Sequence, residues 1–300
     1  MRDETLLITG GTGFIGSRLI KQLKSKNEVT VLTRQSHQSW NKLGHDVHAV
    51  NDLSNVDFNH IDHVINLAGE PIADKRWTNK QKQRICRSRW QITQELVDAI
   101  NACSNPPKTF ISGSAIGYYG RQDDKEIDET FSSPYPEFSH QICKTWEEIA
   151  QQVQPSSTRL CILRTGIVLS RKQGALKKMM LPFKLGFGGP IGNGQQYMSW
   201  IHIDDMVDLI ETLLENEQFN GIYNATAPNP VTNNEFTSTL ACRLNRPGFM
   251  RMPSTIAKLL FGELSDLLIH GQRVVPSRLI QQGFHFRYKH LDDAIQHILR

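Results

Sequence analysis

The chain has 300 residues, and its 34 basic and 30 acidic side chains give a formal net charge of +4. This length allows one or two domains with a sizeable core, and so modest a charge does not indicate nucleic-acid binding. The opening residues lack the features of a secretory signal, and no apolar run reaches the roughly 18 residues that a membrane span needs. We therefore expect neither a nucleic-acid nor a membrane partner.

The cysteines are odd in number, widely spaced and never arranged as Cys-x-x-Cys. They are Cys86, Cys103, Cys143, Cys161 and Cys242. This pattern predicts neither a disulfide framework nor a zinc site. We expect no metal, and a reducing cytoplasm suits the chain best.

The first half of the chain alternates short apolar runs with helical patterns. Strands that are buried on both faces of a sheet appear as continuous apolar runs, so this alternation predicts an α/β fold with a doubly wound parallel sheet, the Rossmann arrangement. The predicted strands lie at residues 6–8, 29–32, 47–50, 64–67, 109–112 and 160–163.

The pattern becomes less regular beyond Arg164. A stretch rich in glycine and proline at 186–194 precedes a strand-like run at 197–203, and Thr232 is placed to begin a helix that runs to about residue 244. We predict a nucleotide-binding domain over 1–164. A smaller α/β substrate region over 165–300 is expected to be partly interleaved with it.

The segment from Thr9 to Gly16 reads T-G-G-T-G-F-I-G and joins a predicted strand to an amphipathic helix. Small residues let such a turn close and let its backbone approach a pyrophosphate, while the helix N-terminus offers amide donors. An ordinary glycine-rich turn is the alternative. The predicted cofactor contacts here are Gly10, Thr12, Gly13, Phe14, Ile15 and Gly16.

The second strand ends at Arg34, where an NAD site usually carries a carboxylate for the ribose hydroxyls. A guanidinium can instead hold a 2′-phosphate, so the sequence favours NADP(H) as cofactor. The alternative is that Arg34 is a solvated surface cation.

Two further segments follow predicted strands, at the edge where open parallel sheets bind ligands. Asp52 and Leu53 follow the third strand, and Leu67, Ala68 and Gly69 follow the fourth. We expect Asp52 to meet the adenine amino group and the small Ala68-Gly69 pair to let the cofactor lie against the backbone. Either segment alone is also typical of a routine turn.

These motifs, with S-G-S-A at 112–115 and W-I-H-I-D-D at 200–205, resemble the extended short-chain dehydrogenase/reductase superfamily. The segments G-E-P-I-A at 69–73 and G-G-P-I-G at 188–192, with Arg76-Trp77 and Ser88-Arg89, are more similar to its YfcH-like, epimerase-like proteins. The similarity extends over essentially the whole chain. It implies a cofactor in the N-terminal domain and a substrate in the cleft against the C-terminal region.

Active members of the superfamily use a serine or threonine to orient the substrate oxygen, a tyrosine as acid/base, and a lysine four residues after it. The resemblance implies the first role for Ser114. Where Tyr-x-x-x-Lys should fall, the chain has His140 and Lys144, which helical spacing puts on one face. We predict Ser114, His140 and Lys144 as catalytic residues, with Tyr118 and Glu70 as other candidates for the proton transfer. Packing or surface roles are the alternative for each.

Guanidinium groups match phosphate oxygens, so Arg76, with Lys75 and Arg89, is a candidate for binding an anionic substrate. The alternative is that these are surface cations beside a helix that starts near Thr78. His202 ends a strand, and Asp204 or Asp205 is expected to cap the helix after it. The predicted substrate contacts are Glu70, Arg76, Tyr118 and His202.

The sequence therefore predicts an NADP(H)-dependent oxidoreductase or a nucleoside-diphosphate-sugar epimerase-like enzyme that lacks the usual tyrosine. Its substrate would be small, and sugar-like or nucleotide-linked. The alternative is a non-catalytic NADP(H)-binding module that senses redox state or stabilises a partner protein, since binding a cofactor needs no proton shuttle.

Overall fold

The computed structural model describes residues 1–34 and 42–300. The strands are β1 Thr5–Thr9, β2 Glu28–Leu32, β3 His48–Val50, β4 His63–Asn66, β5 Thr109–Ala115, β6 Glu126–Ile127, β7 Arg159–Thr165, β8 Ile167–Leu169, β9 Tyr197–Met198, β10 Trp200–His202, β11 Gly221–Ala225, β12 Val231–Thr232 and β13 Arg273–Val274. The α-helices in these ranges are α1 Phe14–Leu23, α2 Asn79–Ala102, α3 Phe138–Ala150, α4 Gly174–Lys184, α5 Ile203–Glu215, α6 Asn233–Leu244, α7 Ser254–Phe261, α8 Asp266–Ile269, α9 Ser277–Gln281 and α10 Leu291–Leu299.

Seven strands form one sheet in the order β3-β2-β1-β4-β5-β7-β11, and every neighbouring pair in it is parallel. The chain moves outward in one direction from β1 to β3 and in the other from β4 to β11. That reversal leaves a crevice beyond the carboxyl ends of β1 and β4. The predicted doubly wound parallel sheet is confirmed. Its seventh strand, β11, comes from the part of the chain beyond residue 164.

Both faces of the sheet are covered by helices. Leu6 and Ile8 of β1 pack in one cluster with Leu19 of α1 and Met206 of α5. Leu7, between them, packs on the opposite face in a cluster that includes Leu96 of α2. Successive strand residues point to opposite faces, so an unbroken apolar run in β1 serves two cores at once.

A third cluster lies in the C-terminal region, where Leu176 of α4 packs with Trp200, Phe236 of α6 and Ile295 of α10. The single strand expected at 197–203 is wrong. β9 pairs antiparallel with β12, whereas β10 pairs parallel with β8, so the chain changes partners at Ser199. None of the described helices is long and apolar enough to cross a membrane.

Candidate active site

The glycine turn between β1 and α1 lies at the crevice, and its glycines are required by close approach. Gly10 has φ of +70°, and a Cβ there would lie 2.5 Å from the carbonyl oxygen of Leu67. A Cβ on Gly16 would lie 2.4 Å from the carbonyl oxygen of Gly10. The turn therefore closes tightly, and it brings Gly10 against the end of β4 where Leu67 and Ala68 were predicted to meet the cofactor.

Helix α1 begins at this turn without a side-chain cap. Gly13 precedes the helix and provides no capping hydrogen bond, and the first turn contains no acidic residue. By contrast, α6 begins after Thr232, as predicted, with a complete capping box between Thr232 and Glu235. Within residues 1–34 and 42–300, the first-turn amides of α1, from Phe14 to Gly16, thus have no side-chain acceptor. Because such amides and the helix dipole favour a negative group, the turn fits the pyrophosphate of a dinucleotide.

A groove of about 410 Å³ opens beside the ends of β2 and β3. Asp52 accepts a hydrogen bond from the Ser54 amide at 2.8 Å, and this bond holds the pKa of Asp52 below its ordinary value. The carboxylate is therefore an acceptor at neutral pH, as contact with an adenine amino group would require. Arg34 is exposed just beyond β2. The groove is lined by Leu32, Asn51, Asp52, Leu53, Glu95 and Asp98.

A buried hydrogen-bond chain fixes the ends of β1 and β4, and nothing in the sequence analysis identified it. The Thr9 hydroxyl donates to Asn66 Oδ1 at 2.6 Å, and Asn66 Nδ2 donates to the Thr93 hydroxyl at 2.8 Å. Trp146 Nε1 donates to the same Thr93 hydroxyl at 2.8 Å. These bonds tie the two strands to α2 and α3, so the backbone at Ala68 is held firmly against the crevice.

Ser114 lies at the end of β5, as predicted, but its hydroxyl is bound to a buried carboxylate. It donates to Glu147 Oε1 at 2.6 Å. The two oxygens of Glu147 also accept bonds from Nε and Nη2 of Arg164, at 2.9 and 2.8 Å, and these charged side chains are only 4% and 3% exposed. Burial lowers the pKa of Arg164, but the bonds and attraction from Glu147 outweigh it and the net pKa is raised.

The same network continues across the sheet. Ser114, Arg164 and Asn224 lie in register on β5, β7 and β11. Arg164 Nη1 donates to the Tyr119 hydroxyl at 3.1 Å, which in turn donates to Asn224 Oδ1 at 2.7 Å. Burial raises the pKa of Tyr119 to about 12. This tyrosine is fully buried and protonated, so it is a structural donor and is not available to a substrate.

His140, near the start of α3, is half-buried and has a defined tautomer. Its Nδ1 lies 2.5 Å from the carbonyl oxygen of Tyr118. Since a carbonyl only accepts hydrogen bonds, Nδ1 must carry the proton, and a neutral His140 keeps its lone pair on Nε2. The Tyr118 ring meets the imidazole edge-on at 5.4 Å and lies over the Arg164 guanidinium at 3.5 Å. The predicted residues Tyr118 and His140 are therefore brought together beside the buried ion pair.

The expected pairing of His140 with Lys144 is not formed. Lys144 is on the outer face of α3, 56% exposed and 3.9 Å from Glu148. Cys143, the residue before it, is buried, and burial raises the pKa of its thiol to about 12. Residues four apart in a helix do lie on the same side of it. Lys144 nevertheless points to solvent, and the neutral thiol of Cys143 occupies the buried side of α3 next to it.

Arg89 of α2 is a half-buried cation near the carboxyl end of β4. Its Nη1 donates to the carbonyl oxygens of Glu70 and Ile85, each at 3.1 Å. Its guanidinium lies 5.3 Å from the Trp146 ring, and a Cβ on Gly69 would lie 2.9 Å from its Cζ. Arg89 is therefore fixed by hydrogen bonds and packing instead of extending freely into solvent.

This guanidinium has no carboxylate within 4.0 Å in the described parts of the chain. Burial lowers the pKa of Arg89, and it raises the pKa of the nearby Cys86 and Cys143 thiols, which stay neutral. A cation that is partly removed from water loses hydration, and the attraction of Glu70 offsets only part of the effect of burial on the pKa of Arg89. An anionic ligand placed here would offset that loss.

Two of the predicted substrate residues are engaged elsewhere. Arg76 is exposed, and its guanidinium donates to the carbonyl oxygens of Leu259 and Leu260 at the end of α7, a favourable position for a cation. Glu70 is half-buried, with its carboxylate 3.9 Å from Lys75. Helix α2 starts next to Thr78, as predicted, and the Thr78 side chain caps it. The geometry gives Arg76 a structural contact between a loop and a helix.

His202 is 1% exposed and caps α5, so the expected cap at Asp204 or Asp205 is wrong. Its Nδ1 accepts from the Asp204 amide at 3.0 Å, and its Nε2 lies 3.2 Å from His297 Nδ1. Candidate ligand atoms of His202, Asp204 and His297 lie within 4.8 Å of one another. The Asp204 carboxylate is already bound by Arg18 at 2.9 Å. Hydrogen bonds and this ion pair therefore explain why the three side chains lie together.

A parallel sheet with this strand order, and a glycine turn leading into an uncapped helix at its crevice, define a Rossmann-fold protein of the dinucleotide-binding type. Residues 6–226 match the model of the NAD dependent epimerase/dehydratase family, and 252–298 match a domain of unknown function, DUF1731. The chain belongs to that epimerase/dehydratase family. The resemblance to epimerase-like proteins is thereby confirmed.

Several known proteins are similar over nearly the whole chain. The epimerase family protein SA0724 of Staphylococcus aureus is 37% identical over 304 residues, which cover 98% of each chain. The human epimerase family protein SDR39U1, solved with NADPH, superposes with a TM-score of 0.90 at 34% identity and 98% coverage of both chains. A nucleoside-diphosphate sugar epimerase from Corynebacterium glutamicum has a TM-score of 0.78 at 28% identity, and the match covers 99% of this chain and 58% of that one.

Proposed function

We propose that this chain is an NADP(H)-dependent oxidoreductase or a nucleoside-diphosphate-sugar epimerase-like enzyme whose active site works without the usual tyrosine. The observation that carries the proposal is the uncapped first turn of α1 at the crevice between β1 and β4, where a pyrophosphate is favoured. Arg34 beyond β2 would hold the 2′-phosphate, and the Asp52 groove would take the adenine. The NADPH in the human relative supports the same choice of cofactor.

His140 is the group that we propose for the proton transfer. NADP(H), when bound, would supply or accept a hydride, and the substrate oxygen must then gain or lose a proton. With Nδ1–H held by the Tyr118 carbonyl, Nε2 of His140 is the nitrogen that can hold or release that proton. The single hydroxyl proton of Ser114 is donated to Glu147. Ser114 would therefore accept a hydrogen bond from a substrate hydroxyl rather than donate one to a carbonyl.

The substrate that this site supports best is small and anionic. Arg89 presents a half-buried guanidinium with no carboxylate within 4.0 Å in the described ranges, and guanidinium groups bind phosphate or carboxylate in a bidentate manner. A nucleotide-linked sugar carries such an anionic group. The relative from Corynebacterium glutamicum is named a nucleoside-diphosphate sugar epimerase, which supports this class of substrate. We propose that residues 1–164 bind the cofactor, that 165–300 contribute mainly to the substrate side, and that the protein works in the cytoplasm.

Turnover of NADPH with a panel of carbonyl compounds and nucleotide sugars tests the enzymatic proposal. We expect His140→Ala to lower kcat by about 10²–10⁴-fold, the usual contribution of a positioned acid/base group. Glu148→Ala, on the exposed side of the same helix, is the matched control and should retain full activity. Unchanged turnover in both His140→Ala and Ser114→Ala would remove the proposed proton-transfer site.

A non-catalytic NADP(H)-binding module is the second candidate. It is favoured by the commitment of the Ser114 hydroxyl to the Glu147–Arg164 pair and by the exposed position of Lys144. Such a sensor must bind NADPH and NADP⁺ with different affinities or in different shapes. Identical calorimetry and solution scattering with the two forms would exclude it.

A further inference from the structure

Exposed apolar side chains are concentrated at one place on this protein. Of the ten large hydrophobic side chains that are exposed in the described parts of the chain, eight lie within 181–187 and 249–260. Phe249 and Leu259 are 79% and 76% exposed. Only Ala257 is buried in the eight-residue helix α7, although most of that helix is apolar. The helix therefore stands out from the surface, and its leucine and isoleucine side chains do not contribute to a core.

The two segments that carry these side chains are joined by backbone hydrogen bonds. The Met250 amide donates to the Gly188 carbonyl at 3.1 Å, and the Met252 amide donates to the Pro190 carbonyl at 2.8 Å. A Cβ on Gly248 would lie 3.7 Å from the Phe183 ring of α4. Residues 171–189 and 246–261 therefore form one continuous surface, which we call the basic apolar face.

The charge on this face has a single sign. Residues 171–189 and 246–261 contain eight lysine or arginine side chains and no aspartate or glutamate, in a chain whose net charge is only +4. Lys178 pairs with Asp74, and the structure shows no carboxylate within 4.0 Å of the other seven in its described ranges. The remainder of the chain is thus net acidic, so an anionic surface would orient the molecule with this face toward it.

Cations and apolar groups are interleaved on the face. Lys177, Leu181 and Lys184 follow one another at helical spacing along α4 and line one groove of about 510 Å³ together with Arg171 and Lys172. On the neighbouring segment, exposed Phe249 lies close in sequence to exposed Arg251. A partner must therefore offer apolar volume and negative charge over the same area.

We propose that the basic apolar face binds the surface of an anionic phospholipid membrane. Exposed leucine, isoleucine and phenylalanine side chains enter the boundary between headgroups and acyl chains, while lysine and arginine lie at the level of the lipid phosphates. The protein then lies on the membrane without spanning it. We expected no membrane partner because no segment of the sequence is long and apolar enough to span a bilayer. Binding at the membrane surface needs no such segment.

Other occupants fit the face less well. A second copy would bring two surfaces of the same charge together, which is unfavourable. Single-stranded nucleic acid is bound through stacking on aromatic rings, whereas six of the eight exposed apolar side chains are aliphatic. An acidic peptide in the groove beside α4 would leave the exposed apolar side chains of α7 uncovered, since that helix projects from the surface with a single buried residue.

Co-sedimentation of the full-length protein with vesicles tests the proposal. We expect binding to an equal mixture of phosphatidylcholine and phosphatidylglycerol, little binding to phosphatidylcholine alone, and release by high salt. The double variant Lys177→Glu/Lys184→Glu should bind at least about 30-fold more weakly, since each cation near the surface contributes about 1 kcal/mol. Phe249→Ser/Leu259→Ser should also weaken binding.

Two exposed positions outside the face provide matched controls. Lys21→Glu and Ile280→Ser should bind as the unchanged protein does, and thermal unfolding should confirm that all variants fold. Equal sedimentation with both kinds of vesicle, or undiminished binding by the Lys177→Glu/Lys184→Glu variant, would overturn the proposal. Binding to polyuridylate or polyglutamate in the absence of vesicle binding would overturn it in favour of a nucleic acid or an acidic peptide.

Discussion

Replacing Glu147 with leucine should lower the free energy of unfolding by about 3–5 kcal/mol, the cost of removing one partner of a buried ion pair. The loss is expected because Arg164 is only 3% exposed and would keep its charge without a counter-ion. Ser114 would also lose the acceptor of its hydroxyl. Urea denaturation followed by circular dichroism measures the change.

Two further variants separate charge from packing at Glu147. Glu148→Leu, one residue along α3 and exposed, should change the free energy of unfolding by less than about 1 kcal/mol. The double variant Glu147→Leu/Arg164→Met removes both charges and should recover much of the loss, because apolar pairs of similar volume often replace buried ion pairs. A loss below about 1 kcal/mol in Glu147→Leu would show that Arg164 reaches water or another anion.

Stability should fall steeply as the pH is lowered from about 6.5 to 4, because two buried histidines resist protonation. Burial lowers the pKa of His63 and of His202 to about 4, against an ordinary value near 6.5. Above pH 6.5 both histidines are neutral in the folded and in the unfolded protein, so they do not reduce the free energy of unfolding. Between the two values only the unfolded chain takes up the protons, so each histidine costs about 3 kcal/mol by pH 4.

The substitution His63→Leu isolates one of these contributions. Nδ1 of His63 is buried without a hydrogen-bond partner in the described structure, so leucine removes no bond there. We expect the variant to lose less stability than the unchanged protein between pH 7 and pH 4, by about 3 kcal/mol. Parallel curves of unfolding free energy against pH for the two proteins would show that His63 is protonated in the folded state.

The sheet and the cofactor turn were predictable from the sequence because their signals are local. The apolar runs that became β1, β2 and β4 are short and continuous, Gly10 and Gly13 lie between a strand and a helix, and Gly16 lies in the first turn of that helix. The strand-like run at 197–203 was misleading because a local apolar pattern does not show which partner each part of a strand will have. It divides at Ser199, because its two halves find partners that are distant in sequence.

The buried centre of the candidate site was much harder to predict. Glu147 and Arg164 are 17 residues apart, and Asn224 joins them only through strand pairing across the sheet. Lys144 was predicted from its spacing to His140, yet helical spacing does not determine which side of α3 faces the sheet. Arg89 lay within a run of basic residues, and only its packing against Gly69 and Trp146 distinguishes it from exposed neighbours.

Calorimetric titration of NADPH and NADH into the unchanged protein and Arg34→Asp tests the proposed cofactor site most directly. We expect the unchanged protein to bind NADPH more tightly than NADH. Arg34→Asp should weaken NADPH binding by about 10–100-fold, because a hydrogen bond to a charged group contributes about 1.5–3 kcal/mol, and should leave NADH binding little changed. Equal losses for both cofactors, or no binding of either at millimolar concentration, would contradict the NADP(H) site proposed at the end of β2.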